Sequence, residues 1–261
     1  MNRTPIKRLP EDTPKEILSL LEGARLYDSS CSPEARVFFA DKDGGYYLKR
    51  SPRGTLKNEV LMTSYFHAKG LGAEVLSYIE EDSDWMLTAR VNGEDCTNEM
   101  YLSDPKRLSI LLAEKLRQLH ELDPSDCPIQ NRTKDYLALA EKNYRTGNYD
   151  KEQFPDAFGY SSPDEAYKVL QEGKKHLKND VLIHGDYCLP NIMLDNWSFS
   201  AFIDLGNGGV GDRHIDLFWG TWTLWFNLKT DKYKDLFLDA YGRDSVDSDI
   251  LRTIAAAEVF G

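Results

Sequence analysis

Long apolar runs are missing from this sequence. No stretch approaches the ~18–20 apolar residues that a membrane-spanning helix needs, so no membrane partner is expected. The opening segment, MNRTPIKRLPEDTP, carries no apolar h-region. Nothing there suggests secretion, and a cytoplasmic location is the expectation. Cysteine is sparse: Cys31, Cys96, Cys127 and Cys188 stand apart, with no C-x-x-C pair. That spacing argues against a disulfide framework or a thiolate metal site; free thiols are the simplest reading. Positive charge is in deficit, 32 Lys+Arg against 43 Asp+Glu, for a net charge of −11. An acidic surface repels phosphate backbones, so nucleic acid is not an expected partner, whereas a cationic small molecule suits it. No G-x-x-x-x-G-K-[ST] occurs, which excludes a P-loop, and no internal repeat or low-complexity tract is present. What remains is a 261-residue chain, 41% hydrophobic and 29% charged. That is the composition of a globular protein with room for one large domain or two lobes.

The most informative stretch is VLIHGDYCLPNIMLD, residues 181–195. A short apolar run ends in His184, Gly185 and Asp186. Five residues after Asp186, Asn191 opens a second apolar run. A third, Ala201-Phe202-Ile203, ends in Asp204 before Leu205 and Gly206. Three oxygen-bearing side chains thus leave the ends of short strands. Phosphoryl transfer asks for such a set: one carboxylate to orient an attacking hydroxyl, and hard oxygen ligands to hold Mg²⁺ against phosphates. D-x-x-x-x-N followed by a second Asp is the protein-kinase order of these groups, although the loop here begins His-Gly-Asp, not His-Arg-Asp. Each residue taken singly also reads as a turn or strand-end cap; the spacing of all three favours the chemistry.

The rest of the chain is read from its periodicity. Thr13, Pro14 and Glu16 are the cap, first position and box residue of a short helix. Residues 24–28, 36–40 and 46–49 are β-type runs, the last ending in Lys49. A helix follows over residues 55–69, with Glu59 near its start and Gly70 as its stop. Residues 74–80 and 85–89 form a hairpin and complete a five-stranded antiparallel sheet. Residues 89–93, with Ala89 and Val91 among them, read as a hinge. Beyond it the chain turns helical. Ser103 caps a stripe of Leu108, Leu111, Leu112, Leu116 and Leu119 that runs to His120, a packed or surface histidine. Helices are also predicted over residues 133–145, 162–177, 215–228, 233–241 and 248–260. GNGGVG, residues 206–211, satisfies G-x-G-x-x-G, but no parallel strand and acidic residue follow as a dinucleotide fold requires. Its glycines are assigned to a turn beside Asp204. Trp219, Trp222 and Phe226 recur at helical spacing, as a core stripe does. A Trp cage for a quaternary ammonium is the competing reading.

HGDYCLPNIM and FIDLG resemble the aminoglycoside O-phosphotransferases, most closely the 3′-phosphotransferases of the kanamycin and neomycin type. A weaker resemblance extends from about Tyr27 to Phe260. It implies a protein-kinase-like α+β fold of two lobes. Residues 1–91 are the nucleotide-binding N-lobe, an antiparallel sheet with one long helix. Residues 92–261 are a mostly helical C-lobe that carries catalysis and the substrate. The implied reaction moves the γ-phosphoryl group of ATP or GTP, with Mg²⁺, to a hydroxyl of a cationic amino sugar. The 3′-hydroxyl of an aminoglycoside is the expected acceptor, and resistance the expected consequence. Asp186 takes the hydroxyl proton, Asn191 and Asp204 hold the metal, and Lys49, braced by Glu59, meets the phosphates. His184 supports the loop. Ser32 matches the phosphate-contacting residue of a loop, residues 29–34, that has no glycine. Tyr47 matches the aromatic that stacks on adenine, and Asp212 and Asp216 match residues that brace the loop from below. Substrate acids are sought at Glu258 and on the mid-chain loop at Asp150, Glu152 and Asp156. Two departures stand out: Ala257 replaces one of the family's terminal acids, and Asn207 stands where the family often has Arg. The competing functions are a kinase for choline, a macrolide or a sugar, and a non-catalytic nucleotide binder. A monomer or weak dimer is expected.

Overall fold

The computed structural model describes residues 3–30, 35–150 and 158–261. The chain divides into two compact units, Met1–Asp95 with Pro190–Gly206, and Cys96–Leu189 with Asn207–Gly261.

In the first unit, short runs rich in β-branched and aromatic residues make one antiparallel sheet. Its strands are β1 (Thr4–Ile6), β2 (Arg25–Asp28), β3 (Arg36–Asp41), β4 (Tyr46–Pro52), β5 (Val75–Glu80) and β6 (Ser83–Ala89), in the order β1-β2-β3-β4-β6-β5. Six strands replace the five expected. The extra one, Thr-Pro-Ile, is too short to show alternation and is fixed by pairing Thr4 with Asp28 and Ile6 with Leu26. Successive side chains point to opposite faces. One face carries Ile6, Leu26, Phe38, Ala40, Leu48, Trp85 and Leu87 into a core shared with Leu9, Ile17 and Leu21. Each large side chain fully buried there contributes about 1.5–3 kcal/mol. The other face carries Tyr27, Phe39, Tyr47 and, two residues on, Lys49.

Helix α1 (Lys15–Leu20) closes the core through Ile17. Thr13 does not cap it: Thr13 Oγ1 donates to Pro10 O at 2.7 Å, and the helix starts after Pro14 without a side-chain cap. Helix α2 (Lys57–Ala68) is positioned by the sheet itself. Asp84 of β6, fully buried, accepts from Gly54 N and Leu56 N, both at 2.9 Å. This remote carboxylate satisfies the orphan N–H groups that precede the helix and suits its positive end. Met62 and Phe66 are buried, and Glu59 with them.

The chain leaves this unit after β7 (Glu94–Asp95) and re-enters it at Pro190, beyond β8 (Val181–Ile183). There β9 (Ile192–Asp195) and β10 (Ser198–Phe202) form a hairpin, and β9 pairs with β7 in a three-stranded sheet. The turn is two residues, Asn196 and Trp197, with φ of 48° and 67°. Positive φ at both positions is the type I′ geometry that matches strand twist. Phe202 N donates to Leu71 O at 2.8 Å, and its ring meets Phe66 edge-on at 6.0 Å. These contacts place residues 190–206 in the first unit, although the division at Val91 gave them to the second lobe.

The second unit is helical: α3 (Glu99–Leu102), α4 (Pro105–His120), α5 (Arg132–Thr146), α6 (Pro163–Gly173), α7 (Arg213–Leu228), α8 (Lys234–Tyr241) and α9 (Ser248–Glu258). Helix α4 is capped by Asp104, which accepts from Arg107 N, while Ser103 ends α3. Ser162 caps α6 as expected, accepting from Glu165 N. β8 pairs antiparallel with β11 (Gly209–Gly211). The GNGGVG glycines therefore serve packing: a Cβ on Gly209 would lie 2.9 Å from Ile129 Cγ2, and one on Gly211 2.5 Å from Ile183 Cδ1. Among the described residues, no helix is long and apolar enough to cross a membrane.

Candidate active site

In the first unit the charged cluster forms on the Tyr47–Lys49 face of the sheet. Lys49 Nζ lies 2.7 Å from Glu59 Oε2, 2.9 Å from Glu59 Oε1 and 2.9 Å from Asp204 Oδ1. A strand residue, a helix residue and one 155 positions later thus converge on a single ammonium. Side-chain exposure falls from 52% at Asp204 to 19% at Lys49 and 7% at Glu59. Burial alone would lower the Lys49 pKa; the charges of Glu59 and Asp204 outweigh it and hold it above its ordinary value. Burial raises Glu59 against the pull of Lys49, and the Asp204 charge adds to the rise. Lys49 is therefore a fixed cation.

Asp204 sits at φ 59°. A left-handed non-glycine residue costs about 1–3 kcal/mol and collects at functional sites. The turn beside this residue is made by Asp204 itself and not by the glycines that follow. Asn191, 7% exposed, is tied to the same strand end, its O accepting from Ile203 N at 3.0 Å. A carboxamide and a carboxylate are hard oxygen donors that suit Mg²⁺. Among the described residues no group of three or more His, Cys, Asp and Glu side chains converges as a cage. A cation on Asn191 and Asp204 therefore needs further ligands from a substrate or water. Tyr47 and Phe39 pair across strands with ring centroids 5.1 Å apart. Ala89 N donates to Glu74 O and Arg90 N to Gly45 O, and Val91 is half-buried.

In the second unit the loop after β8 is held by backbone donors. Asp216, fully buried on α7, accepts from His184 N and Gly185 N, both at 2.7 Å. His120 Nε2 lies 3.2 Å from the same carboxylate, and its Nδ1 2.8 Å from Tyr241 OH. Nε2–H donating to Asp216 while Nδ1 accepts from the Tyr241 hydroxyl satisfies all three groups. Gly185 has φ 83°, and a Cβ there would fall 1.9 Å from Asn207 O. Only glycine fits. Asp186 N donates to His184 Nδ1 at 3.3 Å, Tyr187 OH to Leu112 O at 2.8 Å, and Leu189 N to Thr223 Oγ1 at 3.1 Å. The loop is pinned on both sides of Asp186, which stays half-exposed. Burial, with the Asp186 charge, pushes the Cys188 thiol far above its usual range, so it is no nucleophile.

Asp212 and Asp216 divide the work. Asp212 accepts from Lys178 N, His214 N and His214 Nδ1 at 2.6–2.8 Å and caps α7. Burial opposes its charge, but these donors hold its carboxyl below the usual range. Glu258, the last residue of α9, accepts from Tyr136 OH at 2.8 Å and Trp219 Nε1 at 3.1 Å. Burial, assisted by the charge of Asp186, outweighs those bonds and the pull of Arg132, and pushes Glu258 up to about 7. Arg132 Nη2 lies 2.6 Å from Asn207 Oδ1. A guanidinium therefore reaches Asn207 from α5. Asp150 is exposed. Ser32, Glu152 and Asp156 lie outside the described residues. The aromatic stripe is core along part of its length: Trp219 and Trp222, both half-buried, pack against the buried cluster of Val181, Ile183, Ile215 and Phe218, while Phe226 is 46% exposed. Sequence reading missed the His120–Tyr241 support and Arg132; partners 75, 96 and 121 residues apart leave no local signal.

Residues 27–253 match the phosphotransferase enzyme family. The chain is 49% identical to a probable aminoglycoside 3′-phosphotransferase of Lactococcus lactis subsp. lactis over 252 residues, 96% of each protein. It is 33% identical to an aminoglycoside 3′-phosphotransferase of Niallia circulans over 210 residues, 79% of this chain and 80% of that one. Among solved structures, an aminoglycoside-3′-phosphotransferase of type VIII superposes with a TM-score of 0.76 at 21% identity, covering 95% and 97% of the two chains. An aminoglycoside phosphotransferase of Streptomyces rimosus in complex with ADP and streptomycin gives 0.73 at 24%, covering 86% and 90%. At such identity these two show the fold alone. The antiparallel sheet, the Lys49–Glu59 pair and the braced His-Gly-Asp loop thus stand in a chain that belongs to the phosphotransferase enzyme family, with its kinase-like α+β fold.

Proposed function

We propose that this protein transfers the γ-phosphoryl group of ATP or GTP to the 3′-hydroxyl of an aminoglycoside, and so confers resistance. One observation carries the chemistry: the Lys49 ammonium held between Glu59 and Asp204. The substrate class rests on the 3′-phosphotransferase relatives. In this reading the first unit handles the nucleotide. Lys49 meets its phosphates, Glu59 fixes Lys49, Tyr47 stacks on the base, and backbone groups at Ala89 and Val91 meet its edge. Ser32 touches the phosphates. Asn191 and Asp204 would hold Mg²⁺, which would neutralise charge on the β- and γ-phosphates.

The second unit supplies the acceptor side. The acceptor oxygen forms a bond to Pγ as the bond from Pγ to the β-phosphate oxygen breaks, leaving a nucleoside diphosphate. The acceptor proton passes to Asp186. Most of the rate comes from positioning, which the bonds from His184 N and Gly185 N to Asp216 supply. Glu258, Asp150, Glu152 and Asp156 offer negative charge to the substrate's ammonium groups. The enzyme works in the cytoplasm, as a monomer or weak dimer.

A coupled assay of nucleoside-diphosphate release across aminoglycosides, choline and a macrolide tests this. Kanamycin and neomycin, which have a 3′-hydroxyl, are turned over; tobramycin, which lacks it, binds without turnover. Phosphorylation of tobramycin would move the reaction to another hydroxyl. Turnover of choline alone would overturn the substrate class.

A further inference from the structure

We infer that Arg3 is a nucleoside-recognition residue on the nucleotide face of the sheet; the inference rests on the phosphotransfer reading above. Arg3 precedes β1, and β1 is held at the sheet edge by its pairing with β2. Alternation sends Ile6 into the core, so Arg3 and Pro5 share the opposite parity. That is the face of Phe39, Tyr47 and Lys49. Arg3 Cζ lies 3.6 Å from the Phe39 ring centroid and 5.8 Å from that of Tyr47, and its Nη2 donates to Tyr47 OH at 2.8 Å. Phe39 is 2% exposed although it faces away from the core, because Arg3, Tyr27, Tyr47 and Arg90 lie around it. Arg3 itself is exposed and forms no ion pair among the described residues.

A guanidinium has five N–H donors and no acceptor, and its planar faces stack on rings. Here one face lies on Phe39, and one donor is used by Tyr47. The remaining donors and the outer face are available to a ligand. Lys49 stands two residues beyond Tyr47 on β4, about 6.4–6.8 Å from it along the strand. The two cations therefore divide a nucleotide between them: Lys49 for the phosphates, Arg3 for the acceptor atoms and π-face of the nucleoside end.

The test is direct titration by calorimetry of wild type, Arg3→Ala and Arg3→Lys with adenosine, ATP and inorganic tripolyphosphate. Arg3→Ala should weaken adenosine and ATP binding about 2–5-fold, the range of one exposed cation–π contact. It should leave tripolyphosphate affinity within twofold. Arg3→Lys keeps the charge but loses the flat fork, and should recover part of the loss. In turnover, Arg3→Ala should raise nucleotide KM with kcat and aminoglycoside KM unchanged. Unaltered adenosine affinity with a lowered melting temperature would reduce Arg3 to packing and overturn the inference. So would an equal loss for tripolyphosphate, or tighter adenosine binding in Arg3→Ala. Because titration needs no turnover, a wild type that binds ATP but phosphorylates no aminoglycoside refutes the function while leaving Arg3 testable.

Discussion

Asp204 in the first unit and Asp216 in the second are held in opposite ways. Asp204 is half-exposed, sits at positive φ, and is fixed by one ammonium that it shares with Glu59. Asp216 is sealed, and two backbone N–H groups and an imidazole occupy its oxygens. The first can exchange its partner for another cation at small cost, because water reaches it. The second cannot, because any unmade bond leaves a buried donor stranded. The difference separates a carboxylate free to take a new partner from one that keeps a loop in shape.

The largest expected effect is at Asp204. Asp204→Ala should lower kcat by roughly 10³-fold or more, since it removes charge stabilisation in the transition state. The melting temperature should hardly move. A large loss of stability would place Asp204 with Asp216 and erase the contrast. Asp216→Ala should do the reverse in kind. It strands two buried N–H groups at about 1–3 kcal/mol each. At ~2–4 °C per kcal/mol for a chain of this size, melting should fall by several degrees, with kcat falling as the loop loosens. An unchanged melting curve would contradict the bracing role.

Smaller effects sharpen the comparison. Lys49→Ala should raise nucleotide KM about tenfold, and Glu59→Ala less, because Asp204 still holds the ammonium. The double variant should be less than additive by at least ~0.5 kcal/mol. Strict additivity in steady-state kinetics would mean the pair is not coupled. At Glu258, the raised pKa of about 7 sets a pH dependence. The folded protein prefers the protonated form, so stability from this group is present below 4.5 and lost as pH rises through about 7. Substrate attraction runs the other way, since only the carboxylate draws ammonium groups. Aminoglycoside KM should fall as pH rises through about 7. Glu258→Gln should flatten that profile and melt higher than wild type above it. An unchanged KM profile in Glu258→Gln would remove Glu258 from the substrate site.

Much of the candidate site was legible because its signals are local. Asp186, Asn191 and Asp204 each terminate or open an apolar run, and Lys49 lies in a strand run just before the helix that carries Glu59, although that strand continues past Lys49 to Pro52. The sheet was legible wherever alternation extends over five or six residues. β1 was not, since three residues carry no period and its edge position depends on β2. Thr13 and Ser103 have the right chemistry for caps, but Thr13 is drawn to Pro10 O, and Asp104 takes the place next to Pro105. The left-handed turn was expected at glycines and falls on Asp204, whose short polar side chain tolerates it. The Trp219–Phe226 stripe has helical period, yet the period does not say that Trp219 and Trp222 meet the core and Phe226 does not. His120 looked bland because Asp216 and Tyr241, its partners, are distant in sequence.

The contrast between a working carboxylate and a bracing one is tested most directly at Asp186. Its neighbours are fixed by their backbones, so Asp186→Asn should leave the loop intact. kcat and melting temperature should be measured on one preparation, with nucleotide affinity by titration. The account predicts a kcat lowered by roughly 10²–10⁴-fold, with melting and nucleotide affinity unchanged. A kcat within about threefold of wild type would contradict the assignment of Asp186 as the group that receives the acceptor's proton.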